Sequence, residues 1–449
     1  MIKNADVVLV DKDCAGWSQL LRNGAVVIEG DKIAAVGPTS KIAMDYTSFD
    51  LTIDGQHKIV LPGFVNAHAH VAGSFLRGLL EDIPNHFYGY ALPLEKFLTR
   101  DSIRTFSLLG AVEALRNGIT CINDHYYHSD QVARAFAASG IRGIVAETVL
   151  DVDMGKLKDG KYRHNIDSGM KALDKGAKLV SDWSGRGDGR ISCRIGVHAT
   201  DTCSEELLLK SNELAKKLGV GIHMHLAQTA KEVAYIEETH GKGPVGYLGD
   251  LGILSDRIVA AHLNYAKDSE LALLSTNKVG AVQCPTIYGK MCVKSKLDWF
   301  AEQAVPCGLG TDWLSMDIWD NMRSAIGISR TLTGREVMTA PKALEFATMG
   351  SAKVLGMDSS IGSIEPGKKA DLVIVNTRSA HMSPLRNAIQ NAVYYASTGD
   401  VETVFVNGEL VVNSGKTTQV SEDETIQKAQ VLAEEIWEKL PYPANKFIV

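Results

Sequence analysis

The feature that most constrains the fold is a regular alternation of strand-like and helix-like segments between residues 59 and 310. Amphipathic segments at 101–116 and 204–218, and another beginning near Ala230, separate short apolar runs. Those runs are typical of buried strands and lie at 59–65, 118–123, 143–149, 190–197, 220–225, 258–262, 279–284 and 305–310. Such alternation predicts a parallel sheet with helical crossovers. About eight units favour a closed (β/α)8 barrel of the TIM type over an open sheet.

The two ends of the chain show a different pattern, which is typical of short strands joined by turns. Near the start these runs lie at 5–10, 24–29 and 32–36, and near the end at 371–375, 403–406 and 410–412. Asn407-Gly408 is a typical hairpin turn. At 449 residues the chain is also longer than one core normally supports. We therefore expect a β-sandwich domain at 1–58 and 362–449, discontinuous and with a C-terminal helix, and a barrel domain at 59–361.

Composition excludes several classes of protein. Hydrophobic residues make up 45% and charged residues 22% of the chain, which is ordinary for a globular protein. The net charge of −6 is spread without a basic cluster, so we expect no nucleic-acid partner. Apolar stretches are of strand length and residues 1–10 lack a signal-peptide pattern, so we expect no membrane partner and a cytoplasmic location. The seven scattered cysteines include no CxxC pair, which argues against disulfides and a thiolate zinc site.

Potential metal ligands stand where the predicted strands end. His68 and His70 close strand one, His225 closes strand five, His262 closes strand six, and Asp312 follows strand eight. Active residues of such barrels lie at the carboxyl ends of the strands. Residues two apart in an extended segment point the same way, so the first two histidines can reach one ion. Imidazole and carboxylate ligands suit Zn²⁺, and also Fe²⁺ or Mn²⁺.

Three motifs carry a resemblance to a known family. They are PGFVNAHAH at 62–70, GTD at 310–312 and GSIEPGKKADLV at 362–373. Together they resemble the signatures of the amidohydrolase superfamily. More narrowly, the chain resembles the branch that contains s-triazine hydrolases, guanine and oxoguanine deaminases, and methylthioadenosine/adenosylhomocysteine deaminases. The similarity runs essentially from end to end.

The resemblance implies a ligand set and a metal count. His68, His70, His225 and Asp312 would bind one divalent metal ion, with Zn²⁺ favoured and Fe²⁺ as the alternative. Binuclear relatives carry a lysine at the end of strand four, whereas this chain has His198 there. A single metal is therefore expected. The same resemblance implies a homodimer or a larger homo-oligomer.

The resemblance and the local sequence also suggest substrate contacts. In the relatives His198 would lie near the substrate, Arg77 would lie on the loop after strand one, and His262 would contact the attacking water or the substrate. Trp313 could stack on a planar ring or simply pack beneath a loop. The remaining candidates are residues after other strands, namely Tyr288 or Thr286 after strand seven, and Asp124, His125 and His128 after strand two, which alternatively form a polar loop.

Two further positions carry expectations. His223 faces the opposite side of strand five from His225, so we interpret it as structural. The segment 82–88, after strand one, lacks the tryptophan that an adenosine-type substrate would lead us to expect.

The chemistry expected of this site is hydrolysis at an sp² carbon flanked by nitrogen, as in purines, pterins, pyrimidines or triazines, with ammonia or an amine leaving. Asp312 can take the proton from the attacking water, and His262 can orient the nucleophile and stabilise charge. Ring-deaminating relatives usually carry a glutamate three positions after the strand-five histidine, but this chain has Gln228. An amide cannot exchange a proton near neutral pH.

Gln228 leaves three explanations open. Asp312 and His262 can handle all the protons while Gln228 binds a substrate carbonyl, which we favour. The leaving group can need little help, as halide does, or position 228 can have been engineered to trap a substrate. The main hypothesis is accordingly an aminohydrolase acting on a small heterocyclic substrate. The alternatives are a chlorohydrolase or cyclic-amide hydrolase, and a non-catalytic, metal-bound binding protein.

Overall fold

The computed structural model describes residues 1–10, 20–82, 91–157, 159–303 and 305–439. Its strands, in chain order, are β1 Ile2–Val8, β2 Leu20–Glu29, β3 Lys32–Pro38, β4 Ile53–Asp54, β5 Lys58–Pro62, β6 Phe64–Ala69, β7 Ile119–Tyr126, β8 Arg142–Val149, β9 Ile191–Val197, β10 Ile222–Leu226, β11 Ile258–His262, β12 Gly280–Gln283, β13 Cys307–Leu309, β14 Leu372–Asn376, β15 Val401–Val406, β16 Glu409–Asn413 and β17 Lys416–Thr417.

Helices connect these strands. In chain order they are α1 Thr39–Asp45, α2 Leu92–Glu95, α3 Arg100–Arg116, α4 Ser129–Ser139, α5 Met154–Leu157, α6 Ile166–Trp183, α7 Glu205–Leu218, α8 Ala230–His240, α9 Pro244–Asp250, α10 Asp268–Thr276, α11 Pro285–Lys290, α12 Leu297–Glu302, α13 Ile318–Thr333, α14 Ala340–Glu345, α15 Ser351–Leu355, α16 Ala388–Tyr395 and α17 Glu422–Trp437. Short 3-10 turns lie at Val71–Leu76 and Thr398–Asp400, and a π-helical turn lies at Phe346–Gly350. Among the described residues, every helix is too short or too polar to span a lipid bilayer.

Strands β6 to β13 form a parallel barrel in strict sequence order. The ring closes where Ala69, the last residue of β6, bridges to Asp312, just after β13. At this seam the Asp312 amide donates to the His68 carbonyl at 3.1 Å, and the His70 amide donates to the Asp312 carbonyl at 3.1 Å. The predicted closed barrel is therefore confirmed.

The barrel forms because its strands are buried on both faces and its helices are amphipathic. Every residue of β6, β7 and β8 is buried, as expected for strands with packing on both sides. Helix α7 shows how the helices are delimited: the Ser204 side chain accepts the Leu207 amide at its start, and Gly219 ends it with a φ of 68°. These local signals agree with the 204–218 helix that the sequence predicts.

The remaining strands form a nine-stranded mixed sheet from both ends of the chain. Its order is β17-β16-β15-β14-β5-β1-β2-β3, with β4 paired to β1. A hydrophobic cluster separate from the barrel core joins strands from both termini, including Ile2, Val26 and Ile374. The Asn407-Gly408 turn between β15 and β16 is confirmed, because both residues have positive φ angles, 54° and 78°.

The predicted first barrel strand is divided between the two sheets. Strand β5 pairs with β1 and β14 in the terminal sheet, whereas β6 pairs with β7 in the barrel. Gly63 stands between them, and a Cβ there would lie 2.1 Å from the Thr120 hydroxyl oxygen. Only glycine fits this close approach. The expected domain boundary at residue 59 therefore falls inside a strand of the terminal sheet.

Two sets of contacts connect the barrel with the terminal segments. The C-terminal helix α17 packs on barrel helix α3, where Lys428 pairs with Asp101 at 3.0 Å. The Arg142 side chain, at the start of β8, donates to Asp371 at 3.0 and 2.9 Å, and both side chains are buried. The division of the chain into a domain of residues 1–58 with 362–449 and a domain of residues 59–361 stays a prediction. Helix α17, from the first of these, contacts the barrel.

Candidate metal centre and active site

Four polar side chains from three places in the barrel converge at the carboxyl ends of its strands. His68 and His70 come from β6 and the residue after it, His225 from β10, and Asp312 from the seam beyond β13. The Nε2 atoms of His70 and His225 lie 3.1 Å apart. The Asp312 Oδ1 atom lies 3.6 Å from Nε2 of His68 and 3.5 Å from Nε2 of His70.

Hydrogen bonds to backbone carbonyls set the tautomers of two of these rings. The His70 Nδ1 atom lies 2.5 Å from the carbonyl oxygen of His125, and the His225 Nδ1 atom lies 2.7 Å from that of His198. A carbonyl only accepts, so each Nδ1 carries the proton and each Nε2 presents a lone pair. The two lone pairs then face one another across the centre of the site.

His68 is oriented by a third histidine. Its Nδ1 atom lies 2.8 Å from Nε2 of His223, on the opposite face of β10 from His225. Its Nε2 atom is buried and has no hydrogen-bond partner among the described residues. The predicted structural role of His223 is consistent with this contact, which resembles the outer contacts that orient metal-binding imidazoles.

Burial lowers the pKa of His70, His225 and His262 and so keeps these three imidazoles neutral. The pKa falls to about 4 for His70 and to about 3 for His262, because burial and the neighbouring His68 outweigh the opposing effect of the Asp312 carboxylate. Burial alone would raise the pKa of Asp312, but its close approach to His68 and the influence of His262 and His70 outweigh burial and hold that pKa below its usual range. Neutral imidazoles beside an ionised carboxylate form a set of lone-pair donors.

This donor set fits a divalent cation. Ligand atoms of His68, His70 and His225 lie within 4.8 Å of one another, and those of His68, Cys284 and Asp312 do so as well. The unpartnered Nε2 of His68 and the facing lone pairs of His70 and His225 are groups that a cation between them would satisfy. Three imidazoles with a carboxylate match the preferences of Zn²⁺ and Fe²⁺.

The loop that carries Asp312 is held by Asn66, which belongs to the PGFVNAHAH segment. The side-chain amide of Asn66 donates to the Thr311 hydroxyl at 2.7 Å, and its oxygen accepts the Thr311 amide at 3.0 Å. Asp312 itself has a φ of 61°. The PGFVNAHAH and GTD motifs thus meet in space, although they are separated by most of the barrel in sequence.

A chamber of about 400 Å³ opens above these strand ends. Five of the predicted substrate-contact residues line it: His125, His198, Gln228, Tyr288 and Trp313. His262 lines it too, with a buried Nε2 atom that lacks a partner among the described residues and a φ of 79°. The Tyr288 hydroxyl lies 3.4 Å from the His262 Nδ1 atom.

Arg77 is one predicted substrate contact that does not belong to the described lining of the chamber. Its guanidinium instead pairs with Glu113 on α3 and donates to the carbonyl of Leu314. Arg77 therefore connects the loop after β13, through the Leu314 carbonyl, with Glu113 on α3. The sequence alone does not reveal this pairing, because Glu113 lies on a different element, so an arginine on this loop suggested a ligand contact.

Other candidates after strands two and seven have local roles. Asp124 accepts the Val71 amide at 2.7 Å, and the Thr286 hydroxyl donates to Asp320 at 3.2 Å. His128 precedes α4, and the Glu147 carboxylate accepts its amide at 3.3 Å. None of these three side chains is in the described lining of the chamber. The expectation about the missing tryptophan concerns residues 82–88, of which 83–88 lie outside the described residues.

The chamber contains an acidic residue that sequence reasoning did not place there. Glu232, in the first turn of α8, accepts the Gln228 amide at 2.8 Å, the Ala227 amide at 3.2 Å and the Thr200 hydroxyl at 2.6 Å. Burial raises the pKa of Glu232, and the nearby charge of Asp201 raises it further. The signal available in the sequence was an acid at the third helical position, which is typical of a capping role.

A closed parallel barrel with imidazoles and a carboxylate converging at its strand ends is the architecture of metal-dependent barrel hydrolases. The profile of the amidohydrolase family matches residues 59–411 of this chain. The chain belongs to the amidohydrolase family. The resemblance seen in the three motifs is thereby confirmed.

Individual members of the family are similar to this chain over nearly its whole length. The 5'-deoxyadenosine deaminase of Methanosarcina barkeri (strain Fusaro / DSM 804) is 32% identical over 446 residues, 97% of this chain and 98% of that protein. The 5-methylthioadenosine/S-adenosylhomocysteine deaminase of Moorella thermoacetica (strain ATCC 39073 / JCM 9320) is 33% identical over 436 residues, 94% of this chain and 96% of that protein. A zinc-bound adenosine deaminase structure from Xanthomonas campestris has a TM-score of 0.88 at 25% identity, covering 97% of this chain and 98% of that one.

Proposed function

We propose that this protein is a mononuclear, metal-dependent aminohydrolase that releases ammonia from an amino-substituted nitrogen heterocycle, with a purine nucleoside as the favoured substrate. The observation that carries the proposal is the convergence of His68, His70, His225 and Asp312 beneath a chamber of about 400 Å³. The purine preference rests on the relatives, which are named 5'-deoxyadenosine and methylthioadenosine/S-adenosylhomocysteine deaminases.

The four converging side chains would hold the ion. A bound divalent metal would supply Lewis acidity, which lowers the pKa of a coordinated water from about 15.7 toward about 7. We favour Zn²⁺ because its ligand preferences match three imidazoles and a carboxylate, and because the adenosine deaminase from Xanthomonas campestris binds zinc. Fe²⁺ is the alternative, since the same ligands accept it.

Proton transfer is assigned to two residues. Asp312 is ionised, because its pKa is held low, and its carboxylate can accept the proton of the attacking water. His262 has an unpartnered Nε2 atom in the chamber wall, where it can orient the nucleophile and stabilise charge on the tetrahedral carbon. His262 is held at the end of β11, and Asp312 is held by its bridge to Ala69 at the barrel seam, so both groups have fixed positions.

Gln228 is assigned to substrate binding. Its backbone amide is held by Glu232, which fixes the start of the loop beside His225. The side-chain amide can donate one hydrogen bond and accept another, as the edge of a purine ring requires, but cannot carry a proton at neutral pH. His198, His125, Tyr288 and Trp313 are assigned to the same chamber as further substrate contacts.

A chlorohydrolase or cyclic-amide hydrolase is the second candidate, and Gln228 is the observation that favours it. A halide leaves without accepting a proton, so such a reaction does not need the glutamate that ring deaminases usually carry at this position. A non-catalytic metal-bound protein is the third candidate, and family membership weighs against it. We further expect a cytoplasmic location and a homodimer or larger homo-oligomer.

The test is to load the purified protein with Zn²⁺ and measure ammonia and chloride release from matched substrates. The panel pairs amino-substituted purines, pterins, pyrimidines and triazines with their chloro analogues. Ammonia release from a purine nucleoside in preference to its chloro analogue supports the proposal. Chloride release without ammonia release, or ring opening of a cyclic amide such as a dihydropyrimidine, supports the second candidate. Turnover of none of these substrates despite bound zinc supports the third.

A further inference from the structure

The end of β11 has a backbone conformation that most residues avoid. His262 is the last residue of this strand, is buried and has a φ of 79°, and Leu263 follows with a φ of 56°. Both angles lie in the left-handed region, where residues other than glycine are strained. Such a conformation persists only when the surrounding structure holds it, and it is common at functional sites. The contacts that hold His262 therefore decide where its imidazole lies.

One of these contacts comes from the neighbouring strand. The pairing of β11 with β12 ends at Ala261 and Val282, one residue before His262 and Gln283. At the next position the side-chain amide of Gln283, which is fully buried, donates to the His262 carbonyl. The side-chain oxygen of Gln283 accepts the Lys296 amide at 3.3 Å. Both ends of this amide are therefore used, one at His262 and the other at the residue that precedes α12.

A second side-chain amide makes a similar pair of contacts. Asn264 lies two residues after His262 and lines the chamber. In the amide orientation that satisfies both ends of its side chain, the Asn264 nitrogen lies 3.2 Å from the carbonyl oxygen of His262 and 3.2 Å from that of Lys294. We call Gln283 and Asn264 the amide clamp, because each joins the His262 carbonyl to the segment 294–296. Val293, which precedes this segment, lines the chamber.

The imidazole of His262 makes few polar contacts of its own. Its Nδ1 atom lies 3.4 Å from the Tyr288 hydroxyl, and its Nε2 atom is buried without a partner among the described residues. The ring also stacks on that of His225, with centroids 5.5 Å apart. One long hydrogen bond constrains an imidazole weakly. The direction of Nε2 therefore depends strongly on the backbone conformation of His262, because the allowed rotamers of a side chain follow from φ and ψ.

We propose that Gln283 is a positioning residue, whose side-chain amide holds the His262 backbone in the left-handed conformation and so directs the imidazole toward the reacting atoms. Asn264 supports the same carbonyl. This inference rests on the proposed function, in which His262 orients the nucleophile and stabilises charge on the tetrahedral carbon. Gln283 does not belong to the described lining of the chamber, so it acts through His262 and not on the substrate.

The first test removes the clamp from the zinc-loaded, full-length protein. Gln283→Met keeps nearly the same length and volume but loses both hydrogen bonds. We expect it to lower kcat for ammonia release from a purine nucleoside by at least about tenfold, because a misplacement of about 1 Å can cost about 10²-fold in rate. The zinc content should stay unchanged, since Gln283 is not one of the proposed ligands. Wild-type kcat in a folded Gln283→Met protein overturns the inference.

A double-mutant cycle separates positioning from a general loss of stability. In the His262→Asn background the imidazole is already absent, so Gln283→Met should change kcat there by less than about threefold. An equal loss in both backgrounds overturns the inference. Asn391→Leu is the matched control, because buried Asn391 donates to the carbonyls of Met382 and Pro384, outside the described lining of the chamber. It should lower Tm and leave kcat unaltered.

A spectroscopic measurement tests the clamp independently of turnover. Zinc-loaded protein with ¹³C-labelled histidine gives imidazole signals, of which the His262 signal is the one missing from His262→Asn. We expect Gln283→Met to shift or broaden that signal and to leave the signal of exposed His57 unchanged. An unmoved His262 signal in the folded variant overturns the inference. If the wild type releases no ammonia but the signal responds as expected, the proposed function alone fails.

A second variant covers the case in which Gln283→Met does not fold. Gln283→Asn keeps a side-chain amide but is shorter by one methylene, so its nitrogen is withdrawn from the His262 carbonyl. We expect the same direction of change in kcat and in the His262 signal, again with zinc retained. Wild-type values of both in Gln283→Asn overturn the inference.

Discussion

His70 and His225 face one another through their Nε2 atoms at 3.1 Å, while the Nδ1 atom of each lies against a backbone carbonyl. Both lone pairs therefore point into the same small volume. Two lone pairs at this distance repel one another unless a proton or a cation lies between them. Because burial lowers the pKa of both rings, a metal ion is the better occupant.

Removing one of these rings should remove the metal. We expect His225→Ala, purified and loaded with Zn²⁺, to fall from about one equivalent of zinc per chain to less than about one tenth. The measurement is metal analysis after gel filtration. His57→Asn is the matched control, because that histidine is exposed, lies outside the chamber, and has a φ of 62° that asparagine tolerates. Retention of a full equivalent by His225→Ala would contradict the ligand assignment.

Gln228 should act as a binding group and not as a proton carrier. We expect Gln228→Ala to lower kcat/KM for ammonia release by about tenfold, mainly through KM. Gln228→Glu should change kcat by less than about tenfold, because Asp312 and His262 handle the protons. A gain of about 10²-fold or more in Gln228→Glu would contradict this assignment and indicate either a leaving group other than ammonia or a chain disabled at position 228. Steady-state kinetics on one purine nucleoside measures all three proteins.

The barrel was accessible from the sequence because its strands are continuous apolar runs that are buried on both sides, and helices with clear caps separate them. The division between β5 and β6 could not be predicted from the sequence, because both strands are apolar and join through Pro62-Gly63 without a polar break. The contact that separates them, between Gly63 and Thr120, exists only once the barrel has closed.

The candidate ligands were accessible for a related reason. Parallel strands all end on the same side of a barrel, so residues at strand ends such as His68 and His225 must lie near one another. The part of the chamber lining formed by Met154 and Leu157 could not be predicted, because the four residues of α5 are too few to show a helical period. The role of Arg77 was missed because its partner Glu113 lies on another element.

Glu232 should make stability depend on pH. Burial and the charge of Asp201 raise its pKa in the folded protein above the unfolded value of about 4.3. The folded state therefore keeps a proton that the unfolded state loses, and this contribution is fully present below about pH 4 and is lost as pH rises through the folded pKa. Glu232→Gln does not titrate, so we expect its Tm to decline less than that of the wild type between about pH 5 and pH 8.

The same variant has a second effect. Glutamine at position 232 would place an NH2 group where one oxygen of the Glu232 carboxyl now accepts a hydrogen bond, so we expect Glu232→Gln to be destabilised by about 1–3 kcal/mol at acid pH. Differential scanning calorimetry across the pH range measures both effects. Glu238→Gln, an exposed neighbour on α8, is the control. Parallel curves for wild type and Glu232→Gln would contradict the raised pKa.

The ion pair between Arg142 and Asp371 should hold the barrel against the terminal sheet. Asp371 also accepts the Asn407 amide at 2.7 Å, so Asp371→Asn would leave a buried guanidinium without its charge partner. We expect a loss of about 3–5 kcal/mol in the free energy of unfolding, with zinc content unchanged. Denaturant unfolding and metal analysis measure the two quantities. Asp182→Asn, which breaks the exposed pair with Lys178, should cost far less.

The most direct test of the account is to remove the metal and restore it. Exhaustive dialysis against a chelator should abolish ammonia release, and one equivalent of Zn²⁺ per chain should restore it. His225→Ala should stay inactive at the same zinc concentration. Full turnover by protein shown to be metal-free would contradict the proposal that these imidazoles and Asp312 act through a bound ion.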